Sequence, residues 1–236
     1  MTVLAFEGVW VETTPTAALC DVTLDVPDRG ITVVVGPSGA GKTTLLRLAN
    51  RLEVPTRGTV RFRGEDVARL DPLELRRRVG MVFQRPTLFG GTVRDNLAVA
   101  APGADDGTMI EALAQAGLAA SFLDRVADEL SGGEAQRACL ARTLITEPEV
   151  LLMDEPTAAL DQAPRTALED QARALAARGV PILWVTHQLD QMRRLADHVV
   201  VLIGGRACHA GPRSGVERVD DAAARAFLEG GDDASG

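Results

Sequence analysis

Apolar positions along this chain follow two rhythms. Near the N-terminus, residues 3–11 and 18–26 read as half-buried strands, with Leu19, Val22, Leu24 and Val26 suited to a sheet face. A turn at Thr13-Thr14-Pro15-Thr16 is expected to join them. Further on, short unbroken apolar runs take over at 31–35, 79–83, 150–153 and 181–186. Such runs predict strands buried on both faces. A further strand is predicted at 59–62, and a hairpin at 199–203 and 206–209 around Gly204-Gly205. Helical patterns alternate with these strands. One ends near Leu52, one runs from Pro72 through Arg77, one reaches about Arg178, and two more cover 189–195 and 221–228. Between Arg85 and Glu147 the pattern is helical throughout, broken by loops such as 102–107. This predicts a helical subdomain, about 85–147, inserted between two strands of an α/β core. Alternating strands and helices predict a mainly parallel sheet covered on both faces. Residues 230–236 read as a disordered tail.

Composition narrows the class. The chain has 236 residues, 46% of them hydrophobic, which suffices for one large domain with subdomains. A formal charge of −8 argues against a nucleic-acid partner. Cys20, Cys139 and Cys208 form no C-x-x-C pattern and read as buried free thiols in a reducing compartment. The N-terminus shows no basic segment leading into an apolar block, so no signal peptide is expected. No apolar run approaches the ~18–20 residues that cross a bilayer. The expectation is a chain soluble by itself, for which any membrane anchor comes from another protein.

The chemistry centres on Gly36-Pro37-Ser38-Gly39-Ala40-Gly41-Lys42-Thr43-Thr44, which satisfies G-x-x-x-x-G-K-[ST] between a predicted strand and a predicted helix. A Gly-rich turn before a helix could give this spacing by chance, but the preceding strand is what a phosphate-binding loop requires. Glycines let successive N–H groups point at phosphate oxygens, and the helix N-terminus adds positive potential. Lys42 is expected to reach the β- and γ-phosphates and the Thr43 hydroxyl to hold Mg²⁺. Lys42 is also the only lysine among 25 basic residues, as suits a compact charge placed on phosphate. A second signal is the apolar run ending in Asp154-Glu155. Acids at the end of a buried strand are costly unless they serve a metal or substrate. Asp154 suits the Mg²⁺ shell and Glu155 the base that takes a proton from attacking water. Capping of the following helix is the bland alternative.

Leu130-Ser131-Gly132-Gly133-Glu134-Ala135-Gln136-Arg137 carries the most specific signal. Ser131 and Glu134 have the spacing of a capping box. The stretch also resembles the signature motif of ATP-binding-cassette (ABC) ATPases, and the other family motifs follow in order over about residues 3 to 229. Gln84 stands where the Q-loop glutamine falls, Ala159-Leu160-Asp161 matches the D-loop, and His187 stands at the switch histidine. The resemblance implies a P-loop, RecA-like fold with a mainly parallel sheet core, an N-terminal antiparallel β subdomain and an inserted α-helical subdomain. It implies ATP hydrolysis with Mg²⁺ as cofactor, with Lys42, Gln84, Glu155 and His187 catalytic and Thr43, Gln84 and Asp154 around the metal. Ser131, Gly132, Gly133, Glu134 and Asp161 would contact ATP bound to a second copy, in a homodimer. The implied partner is an integral membrane permease subunit, reached from the cytoplasmic face of the membrane. There are two departures. Glu134 replaces a frequent Gln, and the aromatic that usually stacks on adenine is missing near Thr13, since the chain has no tyrosine. Trp10 is the nearest large aromatic and the candidate platform.

Two stretches bear on cargo. Residues 85–97 and 182–187 resemble bacterial ATPase subunits assigned to iron or metal export, with phosphate-import subunits next. A chromosome- or repair-type ATPase fits poorly, because the segment from Thr43 to Ser131 is too short for long coiled coils and shows no sustained heptads. A soluble regulatory ATPase of the same family is the remaining alternative.

Overall fold

The computed structural model describes residues 1–12 and 17–230. The expected turn at 13–16 and nearly all of the expected tail lie outside the described residues. The chain opens with β1 (Thr2–Glu12), β2 (Ala17–Pro27) and β3 (Ile31–Val35), then α1 (Lys42–Ala49), β4 (Arg57–Phe62) and β5 (Glu65–Asp66). Four of these strands form an antiparallel sheet in the order β2-β1-β4-β5. Next come α2 (Pro72–Arg78), capped by Asp71, and β6 (Val79–Val82). Three helices follow: α3 (Val93–Ala100), α4 (Asp106–Gln115) and α5 (Gly132–Leu144). The rest is β7 (Val150–Asp154), α6 (Gln162–Ala177), β8 (Ile182–Thr186), α7 (Leu189–Leu195), β9 (His198–Ile203), β10 (Arg206–Pro212) and α8 (Ala222–Leu228).

The core sheet has the order β10-β9-β3-β8-β7-β6. It is parallel except for β10, which runs antiparallel along β9. Successive side chains of a strand point to opposite faces. Ile31, Val33, Val35, Leu151, Met153, Ile182 and Trp184 therefore share one core with the inserted helices and with α6, α7 and α8. Val34, Leu152, Leu183 and Val185 share another with Leu4, Phe6, Leu45 and Phe62. Burial on both sides is why these strands read as continuous apolar runs. The second face is covered largely by the antiparallel sheet together with α1, rather than by a layer of helices alone.

Several boundaries shift. The first helix stops at Ala49, and Arg51 turns the chain with φ 56. β6 ends at Val82, leaving Phe83 exposed. β10 runs on to Pro212, beyond the expected 209. The three cysteines are free, as their spacing suggested, but the expected burial holds only for Cys139; Cys20 and Cys208, on strands β2 and β10, are half-buried.

Candidate functional site

The phosphate-type loop leaves the carboxyl end of β3, and its glycines are required for different reasons. A Cβ on Gly36 would lie 2.0 Å from the Leu202 carbonyl oxygen of β9. Gly41 has φ +95, and a Cβ there would lie 2.4 Å from the Ala18 carbonyl oxygen. Lys42 begins α1 and is only 6% exposed. Its Nζ donates to the carbonyl oxygens of Gly36 at 2.8 Å and Pro37 at 2.9 Å, so the ammonium sits inside the curl of the loop. No side chain caps the N-terminus of α1 and no acid lies in its first turn. Its leading N–H groups and positive dipole end are thus kept for an anion.

The acids arrive from β7. Thr43 Oγ1 donates to Asp154 Oδ1 at 2.9 Å. Burial pushes the Asp154 carboxyl above its ordinary value, outweighing the hydrogen bond from Thr43 that lowers it. A hydroxyl–carboxylate pair, half-buried at Thr43 and buried at Asp154, is a hard-oxygen donor set, which fits Mg²⁺. Glu155, the next residue, takes φ 41, an uncommon left-handed conformation for a residue with a side chain. Its N–H donates to the Val185 carbonyl at 3.1 Å, which fixes the bend against β8. The bend aims the carboxylate back across the loop. Glu155 Oε1 lies 3.9 Å from Lys42 Nζ, and Oε2 lies 3.1 Å from His187 Nδ1. A cleft of about 370 Å³ is lined by Ala18, residues 38–44, Gln84 and Glu155. Lys42, Thr43, Asp154, Glu155, His187 and Gln84, separated by up to 145 positions in sequence, thus meet at one end of the core sheet.

The signature stretch stands elsewhere. Ser131 caps α5, and the expected capping box is complete: the Ser131 N–H and Oγ donate to Glu134 Oε2 at 2.8 and 2.7 Å. Arg125 Nη1 donates to the other oxygen at 2.8 Å. These donors, the Ser131 hydroxyl foremost, hold the Glu134 carboxyl down at about 2. Ser131 and Gly132 are exposed. Gly133 packs so closely on α6 that a Cβ would meet Pro164 at 2.8 Å. Asp161 precedes α6 with its side chain free of any capping bond and exposed. None of Ser131, Gly132, Gly133, Glu134 and Asp161 lines the phosphate-loop cleft. Nor does Trp10, which is half-buried on β1 with the Arg57 guanidinium 5.8 Å from its ring centre.

Three supporting residues escaped the sequence reading. Buried Gln136 on α5 donates from Nε2 to the Phe83 carbonyl at 2.9 Å, tying the signature helix to the residue before Gln84. Asn96 clasps the backbone of Phe89 through both amide atoms, at 2.8 and 2.9 Å. Arg165 donates to the Leu160 carbonyl and to Gln188 Oε1, both at 3.3 Å, and so joins the stretch before Asp161 to the loop after His187. In sequence Gln136 and Arg165 sit among other polar residues and look like ordinary solvated helix positions.

The sequence profile of the ABC transporter family matches residues 19–158, more than half of the chain, and the chain belongs to that family. Protein STAR1 of Oryza sativa subsp. japonica is 44% identical over 215 residues, covering 88% of this chain and 62% of that protein. The Phosphate import ATP-binding protein PstB 2 of Natronomonas pharaonis is 43% identical over 250 residues, covering 96% and 86%. The Methionine import ATP-binding protein MetN of Cereibacter sphaeroides is 42% identical over 228 residues, covering 92% and 64%. The chain thus spans less than two thirds of the rice and Cereibacter proteins. Among solved structures, cbiO1 from Clostridium perfringens, part of the ABC transporter complex cbiONQ, matches with a TM-score of 0.82 at 26% identity, covering 92% of this chain and 91% of that one. The expected fold class, a mainly parallel core with an antiparallel β sheet and added helices, is the one observed.

Proposed function

We propose that this chain is the ATP-binding and ATP-hydrolysing subunit of a membrane transporter. The observation that supports this most is a cleft lined by Lys42, Thr43 and Glu155, with Asp154 bonded to Thr43 and His187 to Glu155 from behind that lining. Lys42 and the α1 amides hold the β- and γ-phosphates. Thr43, Asp154 and Gln84 hold Mg²⁺, which neutralises phosphate charge when bound. Glu155 takes the proton of the attacking water, and His187 fixes the Glu155 carboxylate and senses the γ-phosphate. Because Ser131, Gly132, Gly133, Glu134 and Asp161 stand away from this cleft, they serve the ATP of a second copy, so that a homodimer encloses two Mg-ATP. No helix among the described residues is long and apolar enough to cross a membrane. The likeness to cbiO1, part of the ABC transporter complex cbiONQ, supports a reading in which an integral permease subunit supplies the spanning part and this chain acts from the cytoplasmic face.

For cargo, the phosphate- and methionine-import relatives favour a small-solute importer over the metal exporter suggested by residues 85–97. Near-equal identity to importers of different solutes, 43% and 42%, leaves phosphate as one candidate among several. Magnesium-dependent ATP turnover by the purified chain, abolished in Lys42→Ala, tests the catalytic reading. Turnover that survives that substitution contradicts it. Gene deletion separates the cargoes: an uptake defect on limiting phosphate supports import, and sensitivity to excess iron with normal phosphate uptake supports metal export.

A further inference from the structure

A buried polar cluster joins the segments that carry Glu155 and His187, outside the residues that line the cleft. Trp184, Gln191, Thr157 and Glu169 are each no more than 3% exposed. Trp184 Nε1 donates to Gln191 Oε1 at 3.1 Å. An indole N–H only donates, so this contact fixes the orientation of the Gln191 amide. Its Nε2 then donates to Thr157 Oγ1 at 2.9 Å and to Glu169 Oε1 at 2.8 Å. Arg194 closes the far side through two bonds to the Glu169 carboxylate, at 2.8 and 3.1 Å. A network this complete rigidifies the segments it joins, because each bond is strong where water is excluded.

Those segments are the ones that carry the reacting pair. Thr157 stands two residues after Glu155, in the turn that leads to Asp161. Trp184 stands on β8 three residues before His187, and Gln191 on α7 four residues after it. Glu155 itself keeps a left-handed φ of 41. Such a conformation persists only where its surroundings over-determine it. The turn is held by Ala158 N–H to the Glu155 carbonyl at 3.1 Å and Leu160 N–H to the Thr157 carbonyl at 3.2 Å. Alongside Arg165, which reaches Leu160 and Gln188, the Gln191 amide is the buried side-chain link from that turn to the strand and helix that flank His187.

Resting on the proposed ATPase reading, we infer that Gln191 is a positioning residue that sets the Glu155–His187 geometry through Thr157 and Trp184. Hydrophobic filling of the same space would leave the two flanks packed but not registered on each other. Glutamate at 191 would set a carboxylate against Glu169 where an N–H now donates.

The test compares Thr157→Val and Gln191→Leu with the parent chain, measuring kcat and KM for Mg-ATP together with direct nucleotide binding and thermal melting. Valine is nearly isosteric with threonine, so Thr157→Val keeps the test open if Gln191→Leu does not fold. The expected result is a fall in kcat of about tenfold in each, KM within about twofold, and a double variant no slower than Gln191→Leu alone. Parent-like kcat in folded Thr157→Val, or a rise in KM that tracks the loss of thermal stability, overturns the inference. Absence of turnover in the parent chain would instead count against the ATPase reading.

Discussion

His187 places Nδ1 3.1 Å from Glu155 Oε2, while Lys42 Nζ lies 3.9 Å from the other oxygen of the same carboxylate. The candidate base is therefore held between two nitrogen groups, one from the bend that follows β8 and one from α1. Under the proposed function, His187 would act on the orientation of Glu155 more than on the affinity for nucleotide. His187→Ala is expected to lower kcat by about a hundredfold and leave ATP binding within a few-fold. Single-turnover rates alongside equilibrium binding check this. Equal losses in both would place His187 in nucleotide binding instead.

The loop glycines separate by what stands opposite them. A Cβ at Gly36 meets the Leu202 backbone oxygen at 2.0 Å, so β9 or the loop must move. At Gly39 nothing lies within 4 Å, and the remaining cost is the φ of +77, about 1–2 kcal/mol. Gly36→Ala should therefore melt well below Gly39→Ala and lose nucleotide binding. Matching melting temperatures for the two would refute the contrast.

Gly132 faces open space, with no atom within 4 Å of a built Cβ. Gly132→Asp is thus expected to fold and bind ATP as a monomer with near-normal affinity. Its carboxylate would repel the γ-phosphate of a facing copy and abolish ATP-induced pairing. Sedimentation with and without Mg-ATP distinguishes these effects. Pairing that survives the substitution would remove the signature from the interface.

Glu134 gives a pH dependence. Its carboxyl is held at about 2, chiefly by the Ser131 hydroxyl, against an ordinary value of 4.5. A depressed folded pKa means that its stabilisation is present above about pH 4.5 and is lost as pH falls from there toward 2. Melting temperatures of the parent and Glu134→Gln should therefore converge across that window as acid is added. A gap that stays constant would show that the capping box draws nothing from the charge.

Much of this arrangement is written locally in the chain. Ile31–Val35 and Ile182–Thr186 are apolar without interruption because both faces of each strand are buried, and the loop that follows the first must be rich in glycine to pass Leu202 and Ala18. The antiparallel sheet is less legible, because the pairing of β1 with β4 joins residues about fifty positions apart and leaves no periodic trace. Gln136, Arg165 and Gln191 look like solvated helix positions in one dimension, yet the first two anchor backbone carbonyls and the third holds the buried Trp184 indole. Trp10, the candidate platform for adenine by its place in the sequence, stands on β1 with its ring beside Arg57 of β4, a pairing across strands that the sequence alone does not show. Glu155 was legible as an acid at a strand end, but its left-handed turn toward His187 depends on β8 and could not be read from the strand alone.

The most direct test of the account is size-exclusion chromatography of Glu155→Gln with Mg-ATP, run beside a turnover assay. Glutamine is nearly isosteric with glutamate, so the contacts to β8 and the Thr43–Asp154 pair should survive. It cannot accept the water proton, and it removes a negative charge near the γ-phosphate. General-base help is typically worth about 10²–10⁴ in rate, so turnover should fall by that order while ATP remains bound. Unhydrolysed ATP between the loop of one copy and the signature of the other then favours the dimer by mass action. The account predicts a dimer peak for the variant and mostly monomer for the parent. A variant that hydrolyses ATP at more than about a tenth of the parental rate, or that stays monomeric with ATP bound, would contradict it.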